Sequence, residues 1–372
     1  MLLMIPGPVQ LHERIINSMC RQMISHRGAE FSKILKYCID ALKPIFGLKN
    51  GEVLLISGSG TAGVEAAISS FSKVKKILTI ENGKFGERIG EIASKYCETK
   101  RLEFEWGRPV DLGEVEKAIK DCDAVAFVHN ETSTGMLNPA EEIAKIAKEN
   151  NALVIMDAIT SAGGDYVKMD EWGIDVAVVG SQKCLGAPPG LAAVAVNERA
   201  WEYYNKKCPY YLDLAAYKKK LKELQTPYTP AVPLFFALEE ALKIIEEEGL
   251  ENRIRRHIIL NSAVREWALA AGLELFPQPD GHSKYSNTLT AINLPKGVSD
   301  SDLRNTLRKE YGITISGGQD AVKGKIFRIA AMGNVGKLEV LSTIAAVEDV
   351  LSRFTKIESA IDVATKVLRD LK

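Results

Sequence analysis

The sequence lacks the features of several protein classes. Its six cysteines are scattered, with no C-x-x-C pair and no histidine at metal-ligand spacing, so we expect neither a disulfide framework nor a metal site. Lysine plus arginine and aspartate plus glutamate both number 48, so we expect no nucleic acid and no membrane as partner. The N-terminus has no basic region typical of a signal peptide, and no apolar run approaches the length of a bilayer span. These absences indicate a cytoplasmic protein.

The first half of the chain has the pattern of an α/β domain. Short apolar runs alternate with helix-like stretches between about residues 51 and 196. The runs predict strands at Val53–Ile56, Ile77–Ile80, Ala124–Val128, Leu153–Met156, Val176–Val179 and Ala192–Val196. Continuous apolar strands separated by helices are typical of a mostly parallel sheet that is covered on both faces.

The pattern changes after residue 206. A long helical stretch is predicted from Leu234 to Gly272, broken near Gly249, and strand-like segments follow at 286–295, 313–316 and 326–330. The length of 372 residues suits one large and one smaller domain. We expect an N-terminal arm over residues 1–20 beside the active site and the small domain. The large domain is expected over 21–255 and a small α+β domain over 256–372.

A small-residue loop, Ser57-Gly58-Ser59-Gly60-Thr61, follows the first predicted strand and precedes a helix. Ligands of an open parallel sheet bind beyond the carboxyl ends of its strands, and a helix N-terminus favours a phosphate. A tight turn without a ligand is the alternative. Gly58, Gly60 and Gly63 also match G-x-G-x-x-G, with Glu81 at the end of the next strand. This second pattern leaves a nicotinamide-dependent oxidoreductase open.

Two further residues follow later strands. Asp157 ends a buried apolar strand, where a carboxylate needs a partner such as a pyridinium nitrogen, although a helix cap explains it equally well. Lys183 follows the next strand and could form an imine with an aldehyde cofactor, the alternative being a surface lysine. The order of phosphate loop, aspartate and lysine favours an aldehyde cofactor, because dinucleotide binding uses only the loop.

Nine segments along nearly the whole chain then identify a family. The chain resembles class V aminotransferases of fold type I, which depend on pyridoxal 5′-phosphate, in the alanine–glyoxylate / serine–pyruvate branch. The segments are IPGPVQL near the start, SHRGAEF, SGSGTAGVEAA, ENGKFG, HNETSTGMLNP, MDAITSAGG, GSQKCLGAPPG, ISGGQ and KIFRIAAMG.

The resemblance implies a role for each cofactor residue. Lys183 holds the cofactor as a Schiff base and Asp157 pairs with the pyridine nitrogen, so both are expected to be catalytic. The other expected contacts are the phosphate-binding Ser59, Gly60, Thr61 and Gln182, the ring-stacking Phe85 and Ile159, and Thr132 near the phenolic oxygen.

The resemblance also implies substrate and subunit contacts. Arg328 corresponds to the arginine that binds the α-carboxylate of the substrate, and Gly7 lines the substrate pocket. The family forms homodimers with shared sites, in which Thr229 reaches the cofactor phosphate of the neighbouring subunit. Thr226 stands where the family has a tyrosine, so either Tyr228 replaces that tyrosine or the contact is missing.

The expected reaction is transfer of an amino group from serine or alanine to glyoxylate or pyruvate. An alternative is a 2-aminoethylphosphonate–pyruvate transaminase, because such enzymes share much of HNETSTGMLNP. A cysteine desulfurase is excluded by its need for a downstream catalytic cysteine, since no cysteine follows Cys208.

Overall fold

The computed structural model describes residues 1–371, so residue 372, the end of the predicted small domain, lies outside it. The strands in chain order are β1 (Leu2–Met4), β2 (Glu52–Ser57), β3 (Lys76–Glu81), β4 (Glu98–Glu103), β5 (Ala124–Val128), β6 (Asn130–Glu131), β7 (Met136–Leu137), β8 (Leu153–Asp157), β9 (Val176–Gly180), β10 (Leu191–Val196), β11 (Lys284–Tyr285), β12 (Thr290–Asn293), β13 (Ile313–Gly317) and β14 (Ile326–Ile329). The α-helices are α1 (Glu13–Ser18), α2 (Ala29–Phe46), α3 (Gly60–Ser70), α4 (Lys84–Ala93), α5 (Leu112–Ile119), α6 (Ala140–Glu149), α7 (Met169–Trp172), α8 (Leu214–Leu221), α9 (Val232–Glu248), α10 (Leu250–Ala270), α11 (Asp300–Tyr311), α12 (Lys337–Ser352) and α13 (Ile361–Leu368).

A seven-stranded sheet forms the centre of the first half of the chain, in the order β2-β10-β9-β8-β5-β3-β4. Five of its strands, from β9 to β4, run parallel to their neighbours, while β10 is antiparallel to both β2 and β9. All six predicted strands are present, with limits within one residue of the prediction. The mostly parallel sheet is confirmed, and the antiparallel β10 is the exception.

Helices cover both faces of this sheet. On one face, α2, α5, α6 and α9 pack their apolar side chains against one alternating set of strand residues. On the other face, α3, α4 and α8 pack against the opposite set. Because both faces are buried, the central strands carry continuous apolar sequences, and their ends are the places where polar side chains meet solvent or a ligand.

A second sheet, in the order β1-β13-β14-β12, forms a separate core with α10, α11, α12 and α13. The N-terminal strand β1 pairs in parallel with β13. The predicted break in the long helix is confirmed at Gly249, whose φ of +81° ends α9 before the chain continues into α10. The exact domain limits stay predictions. Among the described residues, no helix combines the length and apolar composition needed to cross a bilayer.

A third, small sheet, β11-β7-β6, holds the turn that carries Thr132. Strands β6 and β7 form an antiparallel pair, and the residues between them turn above the carboxyl end of β5. Gly135 has a φ of +81° in this turn. The turn thereby holds Thr132 beside the large sheet.

Candidate active site

One cavity lies beyond the carboxyl ends of β2, β5, β8 and β9. This is the edge at which open parallel sheets bind ligands. The cavity brings together nine of the ten residues for which the sequence predicted a cofactor contact: Ser59, Gly60, Thr61, Phe85, Thr132, Asp157, Ile159, Gln182 and Lys183. The tenth, Thr229, is not part of its wall.

The loop after β2 forms one wall of the cavity. Ser59 is the N-cap of α3 in an extended conformation, and its side chain makes no capping hydrogen bond. A Cβ atom on Gly60 would lie 2.6 Å from Cδ1 of Ile159, so a larger residue would have to displace the Ile159 side chain. The first backbone N–H groups of an α-helix have no partner within the helix, and its dipole favours an anion there. This wall is therefore suited to a phosphate.

Asp157 ends β8 at the floor of the cavity and is only 8% exposed. Burial raises the pKa of its carboxyl group to about 7, while a 2.8 Å hydrogen bond donated by the backbone N–H of Ile159 to Oδ1 opposes the shift. The negative charge of the nearby Glu131 raises the pKa further. An ionised Asp157 is costly here unless a cationic ligand lies against it.

Lys183 follows β9 and points its amine into the same cavity. Burial lowers the pKa of the amine to about 8, so a larger fraction is neutral near physiological pH than for an ordinary lysine. Its Nζ donates a hydrogen bond to the carbonyl oxygen of Pro6. A Cβ atom on Gly7 would lie 2.8 Å from that Nζ, so Gly7 leaves the space that the lysine occupies. Within residues 1–371, no carboxylate oxygen lies within 4.0 Å of the amine.

Arg328 lies on β14 of the second sheet, buried at 3% exposure. Its Nη1 donates to the carbonyl oxygen of Thr132 at 2.6 Å, and its Nε and Nη2 donate to that of Gly317 at 3.1 and 2.7 Å. Burial lowers the pKa of the guanidinium to about 10. No carboxylate of the described chain lies within 4.0 Å of it, so the alternative of an internal salt bridge is not observed. Arg328 does not line the cavity, and it reaches the cavity wall only through the carbonyl oxygen of Thr132.

Unpartnered polar atoms concentrate in this cavity. In the described part of the chain, four buried side-chain polar atoms have no hydrogen-bond partner, and three of them belong to cavity residues: Asn130 Oδ1, Thr132 Oγ1 and Gln182 Oε1. Leaving such atoms without partners costs about 1–3 kcal/mol each. A polar ligand would supply the missing partners, so the cavity is built for one.

The sequence predicted no role for Arg88, a charged residue that lines the cavity, or for Glu131, which lies behind the lining residue Phe85. Arg88 lies one helical turn after Phe85 on α4, with its Cζ atom 4.9 Å from the centre of the Phe85 ring. Glu131 is fully buried and accepts hydrogen bonds from the backbone N–H groups of Phe85 and Gly86 at 3.0 and 2.9 Å. The spacing of three residues between Phe85 and Arg88 on a helix was the signal that could have revealed the arginine.

The segment of Thr229 lies outside the cavity. Thr229 itself is exposed, while Thr226 is buried and donates from Oγ1 to the carbonyl oxygen of Tyr228 at 2.8 Å. The hydroxyl of Tyr228 donates to the carbonyl oxygen of Tyr210 at 2.7 Å. Within one chain, neither Thr226 nor Tyr228 offers its hydroxyl proton to the cavity.

The dinucleotide alternative fails at Glu81. This carboxylate is buried and accepts hydrogen bonds from Nε of Arg101 at 2.8 Å and from Oγ1 of Thr79 at 2.7 Å. A carboxylate that binds a ribose must face the ligand, whereas the carboxylate of Glu81 is bonded to Arg101 and Thr79 inside the protein. Gly63 serves helix packing, since a Cβ atom there would lie 2.7 Å from Val178.

Three known proteins are similar to this chain over most of its length, and two of them are named aminotransferases. The chain is 46% identical to an uncharacterized aminotransferase of Methanocaldococcus jannaschii, over 99% of this chain and 97% of the relative. It is 40% identical to a protein of Synechococcus named soluble hydrogenase, small subunit, over 94% and 93%. It is 32% identical to a serine–glyoxylate aminotransferase of Methylorubrum extorquens, over 93% and 90%.

A solved structure and a family model agree with the two relatives that are named aminotransferases. The crystal structure of ureidoglycine–glyoxylate aminotransferase from Bacillus subtilis superimposes with a TM-score of 0.91 at 32% identity, covering 99% of this chain and 97% of that one. The family model described as aminotransferase class-V matches residues 10–338. The chain therefore belongs to the class V aminotransferases of fold type I, and it is an aminotransferase.

Proposed function

We propose that this aminotransferase binds pyridoxal phosphate and moves the amino group of serine or alanine to glyoxylate or pyruvate. One observation carries the proposal: three features, the Lys183 amine, the Asp157 carboxylate and the N-terminus of helix α3, line the same cavity. Each of the three fits one part of the cofactor: the aldehyde, the pyridine nitrogen and the phosphate.

The other residues of the cavity fit the same cofactor. Phe85 and Ile159 are apolar side chains for the two faces of a flat ring, and the free Oγ1 of Thr132 suits a phenolic oxygen. Gln182 also lines the cavity, and the NH2 group of its amide is a donor of the kind that phosphate oxygens accept from. When bound, pyridoxal phosphate supplies an electron-withdrawing ring that makes the α-proton of an amino acid acidic.

The chain's own residues act on that proton. The amine of Lys183, with its pKa of about 8, has a neutral fraction that could bond to an aldehyde, and as a free base it would accept the α-proton and deliver it to a different carbon, as transamination requires. Asp157, ionised against a cationic nitrogen, keeps that nitrogen protonated. Asp157 is buried and Lys183 is half-buried, and reduced contact with water strengthens charge interactions.

The substrates follow from Arg328 and from relatives. A pair between the guanidinium of Arg328 and an α-carboxylate would orient the substrate, using the N–H donors of the guanidinium that are not bonded to Thr132 and Gly317. One relative is named a serine–glyoxylate aminotransferase, and the Bacillus subtilis structure is of a ureidoglycine–glyoxylate aminotransferase. Both names support a small donor and glyoxylate as acceptor.

A substrate panel tests the proposal. We expect the purified protein to be yellow and to transaminate serine or alanine with glyoxylate or pyruvate. Both donors should be assayed with both acceptors, with 2-aminoethylphosphonate as a third donor. The highest kcat/KM with 2-aminoethylphosphonate would assign the alternative function instead. A colourless protein that does not take up pyridoxal phosphate would contradict the proposal as a whole.

Arg328→Ala should lower kcat/KM with serine and with alanine. The loss should correspond to about 2–5 kcal/mol of transition-state stabilisation, which is the range for removing one side of a buried charge pair. Affinity for the cofactor should change little, because Arg328 binds none of its parts in the proposal. Steady-state kinetics and a melting curve provide the measurement.

Arg304→Ala is the matched control for this variant. Arg304 is a neighbouring arginine of the same domain, and its guanidinium is paired with Asp300 through a 2.8 Å hydrogen bond. We expect near-native kinetics from it. Near-native kinetics from Arg328→Ala would refute the carboxylate role, and a loss of stability without a change in kcat/KM would assign Arg328 to interdomain packing.

We also propose a homodimer in which Thr229 reaches the cofactor phosphate of the partner subunit. Thr229 is exposed beside an aromatic surface formed by Tyr210, which is 83% exposed, Tyr211 and Tyr228. Exposed aromatic clusters of this kind are typical of interfaces. The hydroxyl of Tyr211 donates to the carbonyl oxygen of Ser57 at 3.3 Å, so this surface adjoins the phosphate wall.

Mixed dimers test the shared site. Thr229→Val should weaken cofactor affinity about tenfold, the scale of one hydrogen bond to a charged group, and Lys183→Ala should be inactive. In a dimer of one Thr229→Val chain and one Lys183→Ala chain, the site of the Thr229→Val chain keeps its own Lys183 and receives the native Thr229 of the Lys183→Ala chain. Differently tagged chains, co-expressed and purified as the mixed dimer, should show native cofactor affinity at half of the sites. If Thr229 acts within its own chain, no site regains native affinity.

A further inference from the structure

Arg88 is a cation in the cavity to which the proposed function gives no role. It lies on α4 and lines the same cavity as Ser59, Gly60 and Thr61. No carboxylate oxygen in residues 1–371 lies within 4.0 Å of its guanidinium. A half-buried guanidinium without an anionic partner is unusual, because arginines that leave solvent are commonly paired.

Two contacts fix the direction of the Arg88 side chain. Its Cζ atom lies 4.9 Å from the centre of the Phe85 ring, a cation–π distance, and its Nη1 lies 3.5 Å from Oγ1 of Thr61. Phe85 therefore supports the guanidinium, and the N–H groups face the first turn of α3. The Thr61 end of this arrangement belongs to the wall that suits a phosphate.

The charge of Arg88 also reaches the two reactive groups. It contributes to lowering the pKa of the Asp157 carboxyl and that of the Lys183 amine, although burial is the largest influence on both. A group on the outer surface would be screened from these residues by solvent. Arg88 is thus an electrostatic part of the cavity.

We propose that Arg88 binds the phosphate group of the cofactor from the side opposite the backbone of Ser59-Gly60-Thr61. This inference rests on the proposed function. A helix N-terminus supplies only about half a unit charge, whereas a phosphate ester carries between one and two at neutral pH. The planar fork of an arginine matches two phosphate oxygens, and a hydrogen bond to a charged group is about twice as strong as one between neutral groups.

Cofactor binding with and without the phosphate tests this role. The full-length protein is freed of cofactor and titrated with pyridoxal phosphate and, separately, with pyridoxal. We expect Arg88→Gln to weaken binding of pyridoxal phosphate by about ten- to a hundredfold while binding of pyridoxal changes less than about twofold. Arg88→Lys should recover part of the affinity, because a point charge replaces the fork. Inorganic phosphate should compete with pyridoxal phosphate less well in Arg88→Gln than in the native protein.

Arg308→Gln is the matched control, since it removes one positive charge from the exposed side of α11 and should leave both affinities unchanged. If Arg88→Gln weakens both ligands equally, Arg88 acts through the Phe85 ring and the phosphate role is overturned. Unchanged affinity for both ligands overturns it as well. These outcomes differ from a failure of the proposed function, in which borohydride would not fix pyridoxal phosphate to the native chain at all.

Discussion

Lys183→Ala is expected to abolish transamination while the protein stays folded. One amine has to bond to the cofactor aldehyde and then carry the α-proton, and water in a buried cavity replaces neither role. Turnover should fall by at least about a thousandfold. The fold should tolerate the change, because burial already disfavours the charged form of this amine, whose pKa is lowered to about 8.

Kinetics, melting curves and covalent labelling together measure this result. Lys183→Met keeps most of the side-chain volume and should be equally inactive, which separates chemistry from packing. Lys219→Ala, at an exposed position on α8, is the control and should remain active. Borohydride reduction of the native protein should fix the cofactor to the peptide that contains Lys183. Labelling at a different lysine would falsify the assignment.

The large domain could be predicted because its central strands are buried on both faces. Their sequences are continuous apolar runs, and their limits agree with the structure to within one residue. Strand β4 (Glu98–Glu103) was missed, since it lies at the sheet edge and carries mostly polar residues. The antiparallel direction of β10 could not be predicted, because an apolar run reads the same whichever way the strand runs.

The candidate site could be predicted where its residues follow strands directly. Asp157 and Lys183 come next to the carboxyl ends of β8 and β9, and the topology of a parallel sheet places them together. Glu131 was missed because its contacts depend on how α4 is placed against the turn after β6, whereas Arg88 could have been found from its helical spacing to Phe85. The role proposed for Thr229 depends on a second chain, which no pattern within one chain defines.

The cavity also shows a conflict between stability and function. Burial raises the pKa of Asp157 to about 7, far above the usual value of about 3.9 for an aspartate in an unfolded chain. The folded protein therefore binds this proton more tightly than the unfolded chain does. The resulting contribution to stability is fully present below about pH 4 and is lost as pH rises through 7. Above that pH the ionised Asp157 destabilises the cofactor-free protein.

Asp157→Asn should therefore have two opposite effects. Without cofactor at pH 8, the variant should unfold at a higher temperature than the native protein. Its free energy of unfolding should be larger by on the order of 1–4 kcal/mol, and this difference should vanish near pH 4. Asparagine can still accept the hydrogen bond from the Ile159 N–H, so the local backbone should keep its geometry. Transamination should fall by about a hundred- to a thousandfold, because a neutral amide cannot keep the pyridine nitrogen protonated.

Asp165→Asn separates these two effects. Asp165 is another buried aspartate, with a pKa raised to about 6 by burial, but it is bonded to the Tyr166 N–H and to Asn287 rather than facing the cavity. Its variant should change thermal stability with pH and leave kcat/KM close to native. Melting curves between pH 4 and 8, cofactor titration and steady-state kinetics on both variants provide the comparison. If Asp157→Asn transaminates at close to the native rate with cofactor bound, Asp157 serves only the turn after β8, and the proposed charge pair with the cofactor is wrong.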